Sequence, residues 1–249
     1  MKKIILLVAV ALVSFACNNL AEGEYIITGN IKGMKTGLIY LEKQSPMGMG
    51  AMAIDTVKIE DGKFEIKGKT TEPEIHYIQI DKVDGKIPLV LEGGKINIEV
   101  DKDTLFKSKI TGTYSNEEFT KFNEESNKLQ KKMQSKMKAF ETKNKALIEE
   151  VQKTRDTAIA NKLRAEYEPL QKEAQKNMED YTFEYPKTHP KSFISVLILQ
   201  VMMNNPKFTP KEIEDIYNSL DESLKKTKPG KSIKENVDAL KKKPATSQP

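Results

Sequence analysis

The 249-residue chain contains one cysteine, no tryptophan, two histidines (His76, His189) and only two arginines (Arg155, Arg164). A single cysteine excludes an intramolecular disulfide, a CxxC redox pair and a thiolate zinc site. Two histidines exclude a three-histidine metal centre. No GxxxxGK[ST], GxGxxG, GxSxG or HExxH occurs, so the usual phosphate-loop, dinucleotide, hydrolase and metalloprotease signatures are missing. Two arginines are poor stock for bidentate phosphate or base-edge recognition, and no nucleic acid is expected as a partner. No cofactor is expected either. What is present is 38% hydrophobic and 31% charged residues, over a length that supports one large domain or two small ones.

The compartment is read from the first seventeen residues. Met1-Lys2-Lys3 is a basic start, Ile4 to Val13 is a ten-residue apolar run, and Ser14-Phe15-Ala16-Cys17 follows. The run is far short of the roughly 20 residues that span a bilayer, so it reads as an export signal. The sole cysteine stands where a bacterial lipobox would place it, although Phe15 is bulkier than usual there. The expectation is a lipoprotein signal peptide over 1–16, lipid attachment at Cys17 with fatty chains such as palmitate, and a tether over 17–23. An ordinary secretory signal with an incidental cysteine is the alternative. A multiply acylated terminus holds a chain on a membrane without a spanning helix, each buried CH2 adding roughly 0.8 kcal/mol. The expected location is therefore the cell envelope, lipid-anchored on its periplasmic or surface face. The outer membrane is favoured because Asn18, not Asp, follows the cysteine. Loss of Lys2 and Lys3 with the leader takes the formal charge from +5 to +3.

Residues 24–113 read as β structure, an antiparallel sandwich or barrel, and the β-sandwich is the arrangement expected. Segments 24–31, 38–43, 53–60, 63–68, 74–81, 87–92, 95–100 and 108–112 alternate apolar and polar residues between glycine turns. Asp61-Gly62 is the strongest hairpin signal. In 74–81, Ile75, Tyr77 and Gln79 share one face; His76, Ile78 and Ile80 share the other.

At Ser115 the period changes to 3.6, opening a helical region over 114–224. Ser115-Asn116-Glu117-Glu118 reads as a capping box. A helix is predicted to about Lys153, with a coiled-coil-like stripe of Phe119, Phe122, Leu129, Met133, Met137, Phe140, Leu147 and Val151. Asp156 is predicted to cap a second helix carrying Ile159, Leu163, Tyr167, Leu170, Ala174, Met178 and Tyr181, kinked by Pro169. The pair is expected to form a long antiparallel helix hairpin. SFISVLILQVMM (192–203) is apolar all round, hence a buried helix, and Thr209-Pro210 opens the next. Residues 225–249 carry eight lysines against Glu235 and Asp238, which predicts a basic helix and a disordered tail. The fold class is thus α+β.

Taken in order, GNIKGMKTGLIYLEK, DTVKIEDGKFEIKG, PEIHYIQID, GKINIEVDKDTLFKSKITGTYSNEEF, HPKSFISVLIL and LDESLKKTKPGKSIKENVDAL resemble domain-of-unknown-function family 4369. That family forms the N-terminal half of many envelope lipoproteins whose C-terminal half is a thioredoxin-like domain of the TlpA or peroxiredoxin-like type. Here the chain stops at Pro249, about where such a domain would begin, and no catalytic cysteine pair can be carried over. The resemblance implies an accessory module without its enzyme.

The remaining candidates are weak. Met47, Met49 and Met52 have a spacing that suits Cu(I), or they form a soft apolar loop. His76 and His189 are each half of a metal pair or plain strand and cap residues. Glu22, Glu24, Asp55, Asp81, Asp84, Asp101 and Asp103 suit turn chemistry better than paired acid–base catalysis. The expectation is a non-enzymatic, membrane-anchored binding or scaffolding module, with no metal site. It would serve a thioredoxin-like protein, or act as a holdase presenting the hairpin to an unfolded client.

Overall fold

A computed structural model of the chain describes residues 20–45 and 50–242. The expected leader, Cys17, Met47, Met49 and residues 243–249 lie outside the described residues.

Eight strands come first: β1 (Glu24–Lys32), β2 (Thr36–Gln44), β3 (Ala51–Glu60), β4 (Lys63–Lys69), β5 (Glu74–Ile80), β6 (Ile87–Leu91), β7 (Gly94–Asp101) and β8 (Lys109–Thr111). They lie where the alternation places them. Asp61 (φ +49) and Gly62 (φ +80) supply the two left-handed residues of a tight β3–β4 turn. Gly29 of β1 lies beneath Phe64, where an added Cβ would stand 2.0 Å from the ring.

The sandwich expectation needs correcting. The strands form one sheet in the order β6-β5-β2-β3-β4-β1-β7-β8, nearly closed into a barrel. It is not antiparallel throughout, because β1 and β7 run parallel from Tyr25 opposite Gly94 to Lys32 opposite Asp101. β3 and β4 share only the Glu60–Lys63 pair, so the sheet is all but divided there into two four-stranded halves. Ile39, Leu41, Ile78 and Ile80 of one half meet Ile27, Ile66, Ile96 and Ile98 of the other in a single core. Period-two alternation is the same whether such halves stack or close, which is why it reads as a sandwich.

The gap between the edge strands β6 and β8 is filled by the start of α1 (Tyr114–Lys143). Asn116 is fully buried there. Its Oδ1 accepts from Val90 N at 2.9 Å, and its Nδ2 donates to Val90 O at 2.7 Å and to Thr113 Oγ1 at 2.8 Å. One side-chain amide thus takes the place of a neighbouring strand residue on β6. On the other side Thr120 Oγ1 donates to Ile110 O of β8 at 2.9 Å.

The predicted capping box does not form. Thr113 is the N-cap, without a side-chain cap bond. Ser115 instead donates through its N and Oγ to the Glu92 carboxylate, at 2.9 and 2.6 Å. A carboxylate from the β6–β7 turn is a stronger acceptor than a local hydroxyl and suits the positive end of the helix.

The predicted 115–153 helix is interrupted at Asn144, giving α1 and α2 (Lys145–Thr154). α3 (Thr157–Thr188) follows; Asp156 caps it by accepting from Ala158 N and Ile159 N, and Pro169 and Pro186 lie inside it. Then come α4 (Phe193–Met203), α5 (Pro210–Ser219), α6 (Glu222–Lys225) and α7 (Lys228–Lys242). Thr209 and Glu212 make a full capping box on α5.

α4 is the hub of a second core, with Phe193, Val196, Leu199 and Met202 packed among Ile213, Ile216, Tyr217, Leu224, Ile233 and Val237. Val90 points into this helical core while its neighbours Leu89 and Leu91 point into the sheet core. β6 is therefore the wall shared by both. Glu72 clasps α7 from the sheet side, accepting from Lys228 N at 2.6 Å and pairing with Lys228 Nζ at 3.1 Å. Burial alone would raise the Glu72 carboxyl, but these bonds hold it below the usual carboxylate range. Among the described residues no helix is long and apolar enough to cross a membrane.

Candidate functional site

From Ser126 to Met178 the α1–α2–α3 segment belongs to neither core and forms an arm. Contacts between α1 and α3 run in opposite sequence order: Phe122 O accepts from Tyr181 Oη at 3.2 Å, Lys136 pairs with Glu173, Phe140 packs on Tyr167 at 5.3 Å, and Lys143 pairs with Glu166 at 3.0 Å. Leu129, Met133, Met137, Leu147, Val151, Leu163, Leu170, Ala174 and Met178 lie along this seam, and every one is only half-buried. Between Phe119 and Glu184 the only buried residue is Asn144. Two helices alone cannot enclose a side chain, since each seam residue keeps one flank open. Near the middle, Leu129, Met133, Ala174 and Met178, flanked by Lys136 and Glu173, line a cavity of about 140 Å³.

The arm's base is held tightly. Tyr185 Oη lies 3.1 Å from Glu118 Oε2 and 3.2 Å from Ser192 Oγ, all three buried. The His189 ring stacks on Tyr185 at 4.0 Å, and Phe122 meets the same ring edge-on at 4.9 Å. Burial, opposed by the Ser192 bond and reinforced by the Glu118 charge, pushes the Tyr185 phenol well above its ordinary value. Tyr185 therefore stays protonated and donates to the carboxylate. Ser192 also caps α4, its Oγ accepting from Ile194 N. This network ties α1, α3 and α4 together.

The other candidates are scattered. Met52 stands exposed on β3, while Met47 and Met49 lie outside the described residues. His76 is buried in β5, 3.3 Å from Glu74 O and 4.0 Å from the Glu74 carboxylate; burial lowers its pKa. His189 belongs to the α3 C-terminus, so the two histidines sit in different elements. Glu24 accepts from Ala21 N and Asp101 from Asp103 N at the ends of their strands, whereas Asp55 lies within β3 and accepts from Thr56 N. Among the described residues no group of three His, Cys, Asp or Glu side chains is placed to hold a metal ion. The residues that sequence reasoning missed are Asn116, Glu92 and Tyr185. Their ties to Val90, Ser115 and Glu118 span 26, 23 and 67 positions, so no local spacing marks them.

Residues 25–119 match the model of a family described as Domain of unknown function (DUF4369). The match runs from β1 through β8 and takes in the first six residues of α1, so it includes Asn116 and the plug between the edge strands. No curated protein matches the chain.

Proposed function

We propose that this chain, whose residues 25–119 match the DUF4369 family model, is a lipid-anchored envelope module that binds rather than catalyses. In this reading Cys17 carries the anchor, the sheet domain is the rigid base, and the arm is an antiparallel helix hairpin that presents the binding surface. Its partner in this reading is a thioredoxin-like protein, in keeping with the resemblance of the sequence to the N-terminal half of such lipoproteins.

The observation that carries the reading is the contrast in burial. Both cores are closed, while the arm's seam is half-buried along its length between Phe119 and Glu184. Partly exposed Met and Phe side chains are adaptable contact material. The test is a pull-down from solubilised envelope with the full chain as bait. Recovery of a thioredoxin-like protein, lost on Met133→Glu in the seam, supports the scaffold; recovery of none counts against it. The same soft seam favours a holdase as the second reading. Suppression of aggregation of a denatured client, weakened by Met133→Glu, supports that one, and no suppression sinks it.

A further inference from the structure

The lysines of α1 are not spread evenly around the helix. Lys128, Lys131, Ser135, Lys138, Thr142 and Lys145 are spaced three, four, three, four and three apart, so they form one stripe along the helix. Seam residues Leu129, Met133, Met137 and Phe140 lie on another face. All six members of the stripe are exposed. The two hydroxyls bond back to their own helix, Ser135 Oγ to Lys131 O at 3.0 Å and Thr142 Oγ1 to Lys138 O at 2.8 Å, so the row presents only ammonium groups. From Ser126 to Phe140 there are five lysines and no acid, and Glu141 is the first acid after Glu125. The acids that could neutralise the arm lie elsewhere: Glu166 and Glu173 of α3 pair with the seam-flanking Lys143 and Lys136. Only the ends of the stripe are partnered within α1 and α2, Lys128 by Glu125 at 3.0 Å and Lys145 by Glu149 at 3.9 Å. Lys131 and Lys138 make no ion pair among the described residues.

We propose that this lysine stripe on α1 is a docking face for an anionic lipid surface, against which the arm lies lengthwise. On α1 the stripe runs from Lys128 to Thr142, about 21 Å for fourteen residues of helix rise, and Lys145 follows at the start of α2, beyond the break at Asn144. The stripe uses lysine only. Flexible, strongly hydrated point charges suit a broad, mobile sheet of phosphate headgroups; a shaped acidic partner is better matched by bidentate arginine. Attraction of this kind sums over the charges and is screened beyond about 10 Å at moderate salt. The proposal goes beyond the Cys17 anchor and does not depend on it, since the stripe acts through charge and the anchor through acyl burial.

The test uses the full chain with vesicles of phosphatidylethanolamine and phosphatidylglycerol in equal parts, against vesicles of phosphatidylcholine alone. Binding to the anionic vesicles is expected to exceed binding to the neutral ones, and the excess to vanish at high salt. Each lysine changed to glutamine in Lys128→Gln, Lys131→Gln, Lys138→Gln and Lys145→Gln is expected to cut the excess about fivefold. Glutamine keeps the helix propensity of lysine, so the fold is retained. Amine-reactive labelling of the unaltered chain gives a second readout: Lys131 and Lys138 should be protected by the anionic vesicles, and the exposed sheet residues Lys58 and Lys67 should not. An excess that survives in the fourfold variant, or equal labelling with both vesicles, overturns the proposal. So does protection of Lys131 and Lys138 by polyglutamate but not by vesicles, which would assign the stripe to an acidic protein. Failure of the anchor reads differently, as weak binding to neutral vesicles in both chains with the anionic excess intact.

Discussion

At the scale of single residues, Asn116 has the largest structural consequence for its size. It satisfies both backbone groups of Val90 at the open edge of the sheet and is itself fully buried. Asn116→Ala leaves a buried N–H and a buried C=O unpaired, at about 1–3 kcal/mol each. The expected outcome is a loss of about 3 kcal/mol or more in chemical denaturation, with an unchanged outcome showing that the plug does not close the edge. His76 makes a pH prediction. Burial lowers its folded-state pKa, against weaker opposing effects of the Glu74 carbonyl and carboxylate. The unfolded chain therefore takes up the proton first, and stability is lost as pH falls below about 6.5. In His76→Leu that part of the acid-side slope should disappear from the unfolding midpoint measured between neutral and mildly acid pH. None of the long-range ties was legible in the sequence. Ser115 and Glu118 have the spacing of a capping box, but the box competes with Glu92 and Tyr185, which only the folded chain brings within reach.

Secondary-structure elements were far more legible, because they follow from local rules. Asp61-Gly62 marks a turn whose two left-handed residues are required by its geometry. Asp156 and Thr209-Pro210 carry their own capping chemistry, and both caps form. Strand pairing is less local. The parallel contact of β1 with β7 joins segments about 70 residues apart, and alternation says nothing about which neighbour a strand takes. Burial then separates helices that look alike by composition of their apolar faces. Leu199 of α4 is fully buried, whereas Met133 of α1 keeps an open flank. Leu199→Ala should cost about 2–5 kcal/mol, as a cavity in a closed core does, and Met133→Ala about 1 kcal/mol or less. Urea titrations of the two variants check this; equal losses would mean that the arm is packed as tightly as the body.

For the whole molecule, the arm and the body differ in what would have to break for each to open. Opening the body exposes two cores that share β6 as a wall, so the sheet and the α4 cluster should unfold together. Opening the arm between Ser126 and Met178 exposes only surface that is already half wet. The ion pairs that bridge it, Lys136–Glu173 and Lys143–Glu166, join partly to largely exposed groups and contribute roughly 0–1 kcal/mol each. At the base the restraint changes: Tyr185, Glu118 and Ser192 are buried and bonded to one another, and Phe122 stacks on Tyr181. The separation of α1 from α3 should therefore stop at this cluster, leaving the helices of the base and both cores intact. Native-state hydrogen exchange tests it directly. Amides of 126–178 should exchange through a local opening with low dependence on denaturant, well below the free energy for α4, β1 and β7. Exchange of the arm at the same free energy as α4 would show one cooperative unit, and the arm would no longer be the element free to change partners.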